Sequence, residues 1–152
     1  MAEPLEILLV EDSPVDAHLT LEGLRDTSTV YNTHVVGDGV EALNFLRRHP
    51  PHAAAPRPDI ILMDLSLPRM DGKELLTEIK RDELLVDIPV VVLSSSANVN
   101  DVKYAYRHHA ACYVTKPARL EQYMAAIKTL KELWFHTASF PNKVTAAAQI
   151  AI

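Results

Sequence analysis

The stretch "DIILMDLSLPRMDG", residues 59–72, decides how the rest of the chain is read. A short apolar run, Ile60 to Met63, meets a single carboxylate, Asp64, and the chain then turns sharply through a Pro-Arg-Met-Asp-Gly segment. A continuous apolar run of this length suits a strand buried on both faces, as in a parallel sheet. Such a strand ordinarily ends in a turn residue. One that carries an acid to its own carboxyl end, with the next helix several residues further on, displays that acid.

Working outward, residues 5–10 ("LEILLV") and 89–93 ("PVVVL") are runs of the same kind as 59–63. Residues 30–36 ("VYNTHVV") alternate more and 112–115 ("CYVT") are few, so both suit the edges of a sheet. Helical periods fill the gaps at 14–27, 39–48, 73–85, 98–109 and 119–135. The last sets Leu120, Tyr123, Met124, Ile127, Leu130 and Trp134 along one face. Five β-α units in alternation predict an α/β fold with an open parallel sheet covered on both sides. Right-handed crossovers and the burial ranking of the strands favour a flavodoxin-like, doubly wound, five-stranded sheet in the order 2-1-3-4-5, with an extended C-terminal helix and tail.

The chain has 152 residues, enough for one domain, and 48% of them are apolar. Twenty acidic residues outnumber 15 basic ones, and no basic run is longer than a pair such as Arg47-Arg48, which argues against binding nucleic acid through its phosphates. A single cysteine, Cys112, excludes an internal disulfide and suits a reducing compartment. No signal sequence and no apolar run of membrane-spanning length is present, so a cytoplasmic location without membrane insertion is expected. Residues 49–58 ("HPPHAAAPRP") read as a stiff surface connection.

In open α/β sheets, ligands bind beyond the carboxyl ends of the strands where the winding reverses. Those ends carry Glu11 and Asp12 after the first strand, Asp64 after the third, Ser94 at the fourth and Lys116 after the fifth. Three carboxylates brought close together repel one another until a proton or a cation neutralises them. Oxygen donors with room for water suit Mg²⁺. A carboxylate beside such an ion can attack a phosphoryl group in line, with Lys116 and Ser94 as hydrogen-bond donors to its oxygens. Asp64 is thus expected to be a phosphoryl acceptor.

The segments "LLVEDSPVD", "DIILMDLSLPRMDG", "VVVLSSSA" and "CYVTKP" together resemble the receiver domain of two-component response regulators, over about residues 5–130. The resemblance implies that Asp64 is phosphorylated from a histidine of a sensor kinase. Mg²⁺ (or Mn²⁺) would be held by Asp12, by Glu11 through water, by Asp64 and by the backbone carbonyl of Ser66. It also implies that Ser94 is a switch hydroxyl, Tyr113 a rotating aromatic, Lys116 a phosphoryl-binding lysine, and Lys116-Pro117 a cis peptide. The resemblance also implies that Ser66 and Ser96 occupy positions that tune the lifetime of the phosphorylated form. Two departures are Ala118, where the family carries an aromatic, and serine rather than threonine at position 94.

Blander readings fit other acids. Asp71 caps the third helix, and Asp16 and Asp59 are solvated or capping residues. The seven histidines show no metal-ligand spacing. "GDGVEA", residues 37–42, satisfies the relaxed dinucleotide-binding pattern, but Asp38 and Glu41 would set two negative charges where a pyrophosphate needs bare amides.

A metal-dependent phosphatase working through an aspartyl-phosphate is the rival function. It would want a second carboxylate two residues after the nucleophile, where this chain has Ser66. A flavin-binding module is disfavoured by Glu11 and Asp12 at the phosphate position. The chain is expected to divide into a receiver, 1–130, and an extension, 131–152, with no output domain. The extension carries Trp134, Phe135, Phe140, Val144, Ile150 and Ile152. It resembles the arm of single-domain regulators paired with bacterial phytochrome kinases. That resemblance implies a phytochrome partner and a homodimer held through the fourth and fifth helices, the fifth strand and the tail, with Tyr123, Ile127, Trp134, Phe135 and Phe140 at the interface.

Overall fold

The structure is a computed structural model that describes residues 3–141. Strands β1 (Leu5–Val10), β2 (Tyr31–Val36), β3 (Ile60–Met63), β4 (Val90–Ser94) and β5 (Cys112–Thr115) alternate with helices α1 (Pro14–Leu24), α2 (Gly39–Leu46), α3 (Gly72–Arg81), α4 (Val99–Arg107) and α5 (Leu120–His136). The strands form one parallel sheet in the expected order, β2-β1-β3-β4-β5. The central strands β3 and β4 are buried at every position, while the edge strands β2 and β5 are half-exposed.

Side chains alternate across the strands, so the sheet sorts them into two cores. Leu8, Ile61, Met63 and Val92 meet α2, α3 and α4 through Leu43, Leu76, Ile79 and Ala105. Ile7, Leu9, Ile60 and Val91 face the other way, onto α1 and α5 through Ala17, Leu24, Tyr123 and Ile127. Helices α1 and α5 pack tightly: a Cβ on Gly23 would lie 2.6 Å from Ile127 Cγ2.

Several helices stop short of their expected ends. The first ends at Leu24, where Arg25 turns to an extended backbone. The second ends before Arg48, which adopts a positive φ of 56°. The third ends at Arg81, and the Asp82 carboxylate then accepts the Leu84 amide. Local turn chemistry overrides the apolar period at all three ends.

Two glycines allow close approaches that shape the carboxyl rim. A Cβ on Gly39 would lie 2.2 Å from the Met70 carbonyl oxygen, and one on Gly72 would lie 2.4 Å from that of Asp64. Only glycine lets α3 start directly against the Asp64 backbone. The expected cis bond at Lys116-Pro117 is not found. The cis peptide among the described residues is Pro50-Pro51, and Lys116 reaches its partners through a trans bond, the form an X-Pro peptide prefers by about 0.5–1 kcal/mol.

The residues expected at a dimer interface need correction. Tyr123, Ile127 and Phe140 are buried in the chain's own α1–α5 core. Trp134 and Phe135 are half-buried against the same core, with rings 5.8 Å from Phe140 and 5.1 Å from Tyr31 respectively. Their apolar surface is drawn toward the chain's own core, because α5 shares with α1 the cover of one face of the sheet. Val144, Ile150 and Ile152 lie outside the described residues.

Candidate functional site: an acidic cluster around one lysine

Strand β1 delivers Glu11, which is 5% exposed, and then Asp12, which faces solvent. Asp12 is not needed as a cap. Ser13 caps α1 by accepting the Asp16 amide at 3.2 Å, and Glu11 Oε2 accepts the Ser13 amide at 3.2 Å. Asp64 follows β3. Its amide donates to the Val10 carbonyl at 3.0 Å, and its Oδ1 accepts the Ser66 amide at 3.1 Å. Glu11, Asp12 and Asp64 each place a carboxylate oxygen within 4.8 Å of the others.

Lys116 comes from beyond the end of β5, its amide anchored on the Ser94 carbonyl at 2.7 Å. Its side chain is almost wholly buried, and Nζ donates to Glu11 Oε1 at 2.6 Å, Asp16 Oδ2 at 2.9 Å and Asp64 Oδ2 at 3.0 Å. Burial alone would push the ammonium's pKa down, but the three carboxylates outweigh it and hold the group above the ordinary lysine value. Burial has the larger say at Glu11: its carboxyl lies above the usual glutamate value although Lys116 and the Ser13 amide pull it down. Three carboxylates thus share one ammonium with Asp12 close by, an arrangement short of positive charge. The donor set is all carboxylate oxygen and fits a hard divalent cation.

The expected switch residues adjoin this cluster. Ser94 is buried, and its Oγ accepts the Ser96 amide at 3.2 Å. The Tyr113 hydroxyl donates to the Ser96 carbonyl at 2.7 Å. Ser96 in turn donates to Asp101 Oδ2 at 2.5 Å, and Asp101 pairs with Lys73 at 2.6 Å, which ties the β4–α4 loop to α3. Ser66 is exposed, two residues beyond Asp64.

Asp16 was expected to be solvated or capping and is instead a direct partner of Lys116. Its signal was its place in the first turn of α1, directly after the strand end that carries Glu11 and Asp12. Asp59, expected among the same bland acids, is buried and accepts the Glu6 amide at 2.8 Å. Asp71 caps α3 as expected, accepting the Glu74 amide at 2.9 Å. At the dinucleotide-like stretch, Asp38 caps α2 and pairs with Arg69 at 2.9 Å, so that helix start is already filled by a carboxylate.

The sequence profile of the response regulator receiver domain matches residues 7–128. The chain belongs to the response regulator receiver family. It is 39% identical over 138 residues to "Response regulator Rcp1" of Synechocystis sp., covering 91% of this chain and 94% of that protein. Among solved structures it is similar to the phosphorylated cyanobacterial phytochrome response regulator RcpA, at 44% identity and a TM-score of 0.89 over 92% of this chain and all of that one. It is also similar to the Mn²⁺-bound form of Rcp1, at 39% identity and a TM-score of 0.88 over 91% of this chain and 99% of that one. This receiver therefore gathers Asp64, Glu11, Asp12, Lys116 and Ser94 at one rim. Nothing there supports the phosphatase alternative, whose second carboxylate would have to stand at Ser66.

Proposed function

We propose that Asp64 accepts a phosphoryl group from a phosphohistidine of a sensor kinase and that the receiver signals the change by protein contact. One observation carries this reading: Lys116 Nζ lies 3.0 Å from Asp64 and 2.6 Å from Glu11, within an acidic cluster that leaves Asp64 beside a buried donor. In the transfer, a carboxylate oxygen of Asp64 bonds to phosphorus as the bond from phosphorus to the kinase's imidazole nitrogen breaks, and that nitrogen keeps the electron pair. Lys116 turns an N–H to a phosphoryl oxygen, and Ser94 offers its hydroxyl to another. Glu11, Asp12, Asp64 and the Ser66 carbonyl would hold Mg²⁺ or Mn²⁺, which when bound supplies neutralising charge and a coordination place for a phosphoryl oxygen. The chain's catalysis is limited to its own phosphorylation and dephosphorylation.

Movement of Ser94 toward the phosphoryl removes the acceptor of the Ser96 amide, and Tyr113 and Asp101 both hold on to Ser96. The β4–α4 loop and the face of α4, β5 and α5 are then biased toward a second arrangement. Similarity to RcpA and Rcp1 supports a phytochrome kinase as the partner. The receiver body corresponds to 1–130 and 131–152 is its extension. A homodimer through α4, β5 and α5 is supported by Val99, Tyr106 and Leu133, which remain exposed once the buried residues are set aside. Light scattering on the full-length chain and on residues 1–135 tests the extension's part; equal masses would exclude it. A cytoplasmic site is in keeping with the described helices, none of which is long and apolar enough to cross a membrane.

The decisive experiment exposes the protein to a small acyl phosphate with Mg²⁺ and follows intact mass. The parent gains close to one phosphoryl per chain and then stops, whereas Asp64→Asn gains none. Equal uptake by both would move the acceptor elsewhere.

A further inference from the structure

An ammonium has three N–H donors, and Lys116 spends all three on carboxylates. Two of these acceptors, Glu11 and Asp64, also belong to the trio of oxygens suited to a divalent cation, and Asp16 does not. When Glu11 and Asp64 turn to a metal or a phosphoryl group, Asp16 is the counter-ion that Lys116 keeps. The Asp16 backbone is fixed from both sides. Its amide donates to Ser13 Oγ at 3.2 Å, and its carbonyl accepts the Thr20 hydroxyl at 2.9 Å. Thr20 is in turn bonded to the Tyr123 hydroxyl of α5 at 2.7 Å, inside the tight α1–α5 seam. The carboxylate stands on the first turn of a well-held helix, 37% exposed, so it can be exchanged without opening a cavity.

We propose that Asp16 is a positioning residue for phosphoryl transfer, holding the Lys116 ammonium in place while Glu11 and Asp64 are engaged elsewhere. The inference rests on the phosphoacceptor reading and deepens it. With Asp16 present, an entering phosphoryl group exchanges one hydrogen bond of a lysine already in position. Without it, a buried long side chain must first be reordered. Asp16 is outside the set of acids and lysine that the receiver resemblance supplies.

Two measurements on Asp16→Asn and Asp16→Glu test this. The first follows phosphoryl uptake from a small acyl phosphate with Mg²⁺ by intact mass. Asp16→Asn is expected to be about tenfold slower than the parent, the scale of one charge-assisted hydrogen bond partly open to water. Asp16→Glu, which keeps the charge, is expected to recover most of the rate. The second follows acylation of Lys116 by an N-hydroxysuccinimide ester in metal-free buffer, using peptide mass. The Lys116 amine is expected to react severalfold faster in Asp16→Asn than in the parent or in Asp16→Glu. Unchanged uptake and unchanged labelling in Asp16→Asn overturn the proposal. So does a Glu variant as slow as the Asn variant, because shape rather than charge would then be responsible. Failure of the parent itself to take up phosphoryl overturns the functional reading instead, and the labelling result still stands or falls by itself.

Discussion

Strands β1 and β2 are each followed by an acid shortly before a helix, Glu11 and Asp38, yet the two acids have opposite fates. Asp38, after β2, is consumed by structure: it accepts the Glu41 amide at 2.7 Å and grips Arg69 through both carboxylate oxygens. Burial would raise its pKa, but those partners outweigh burial and hold it below the ordinary aspartate value. After β1, capping falls to Ser13, and Glu11 is left buried in a crowd of other carboxylates with its pKa raised. A carboxylate that the fold needs has its own donors. Carboxylates gathered for chemistry share one ammonium and store repulsion.

The largest expected effect follows from that shared donor. Replacing Lys116 by Met removes the one ammonium among buried Glu11 and Asp64, and breaking a buried ion pair from one side costs about 3–5 kcal/mol. Urea unfolding in metal-free buffer should show this loss, and added Mg²⁺ should recover part of it. A loss below about 1 kcal/mol, the scale of an exposed pair, would mean that water already screens the cluster and that its repulsion is unimportant.

The next effect is smaller and differs in sign between the two regions. Asp64→Asn keeps one acceptor oxygen, enough for Lys116 or for the Ser66 amide, while removing one charge from the crowd. It should stabilise the metal-free protein by about 1 kcal/mol, as relief of a functional strain commonly does. Asp38→Ala loses a helix cap and the Arg69 pair and should destabilise by about 1 kcal/mol. Denaturant midpoints for the two variants beside the parent settle the matter; the same sign for both would dissolve the distinction.

The sequence made one of these fates more legible than the other. A strand end projects its next residue to the rim, so Asp64, Asp12 and Lys116 could be placed from the apolar runs alone, and β1 and β5 begin and end where those runs do. Asp16 escaped because it stands in the first turn of α1 and not at a strand end, and only the crossovers that set α1 beside the end of β5 bring it to Lys116. Tyr123 and Ile127, expected at an interface, lie in the chain's own core for a related reason. The apolar stripe of a long last helix looks the same whether it covers its own sheet or a second chain. The Thr20 hydroxyl that receives Tyr123 belongs to another helix.

The smallest effect separates the two kinds of carboxylate by pH. Asp26 is another acid held by structure. The Ser28 hydroxyl is its strongest partner, with the Ser28 amide and His136 adding to it, and its pKa is lowered to about 2. A depressed folded-state value gives stability that is present above the unfolded value of 3.8 and lost as pH falls through about 2. Asp26→Asn should therefore be less stable than the parent at neutral pH, by up to about 1 kcal/mol, with the gap closing across that acid window. Glu11 has the opposite sign. Its folded value lies above 4.5, so its contribution is present below 4.5 and lost as pH rises through the raised value. In metal-free buffer Glu11→Gln should gain on the parent as pH rises through that range, while Asp26→Asn should fall behind as pH climbs from about 2 past 3.8. Parallel curves for the two variants would show that a carboxylate gathered at the rim and one fixed in a turn carry the same electrostatic load.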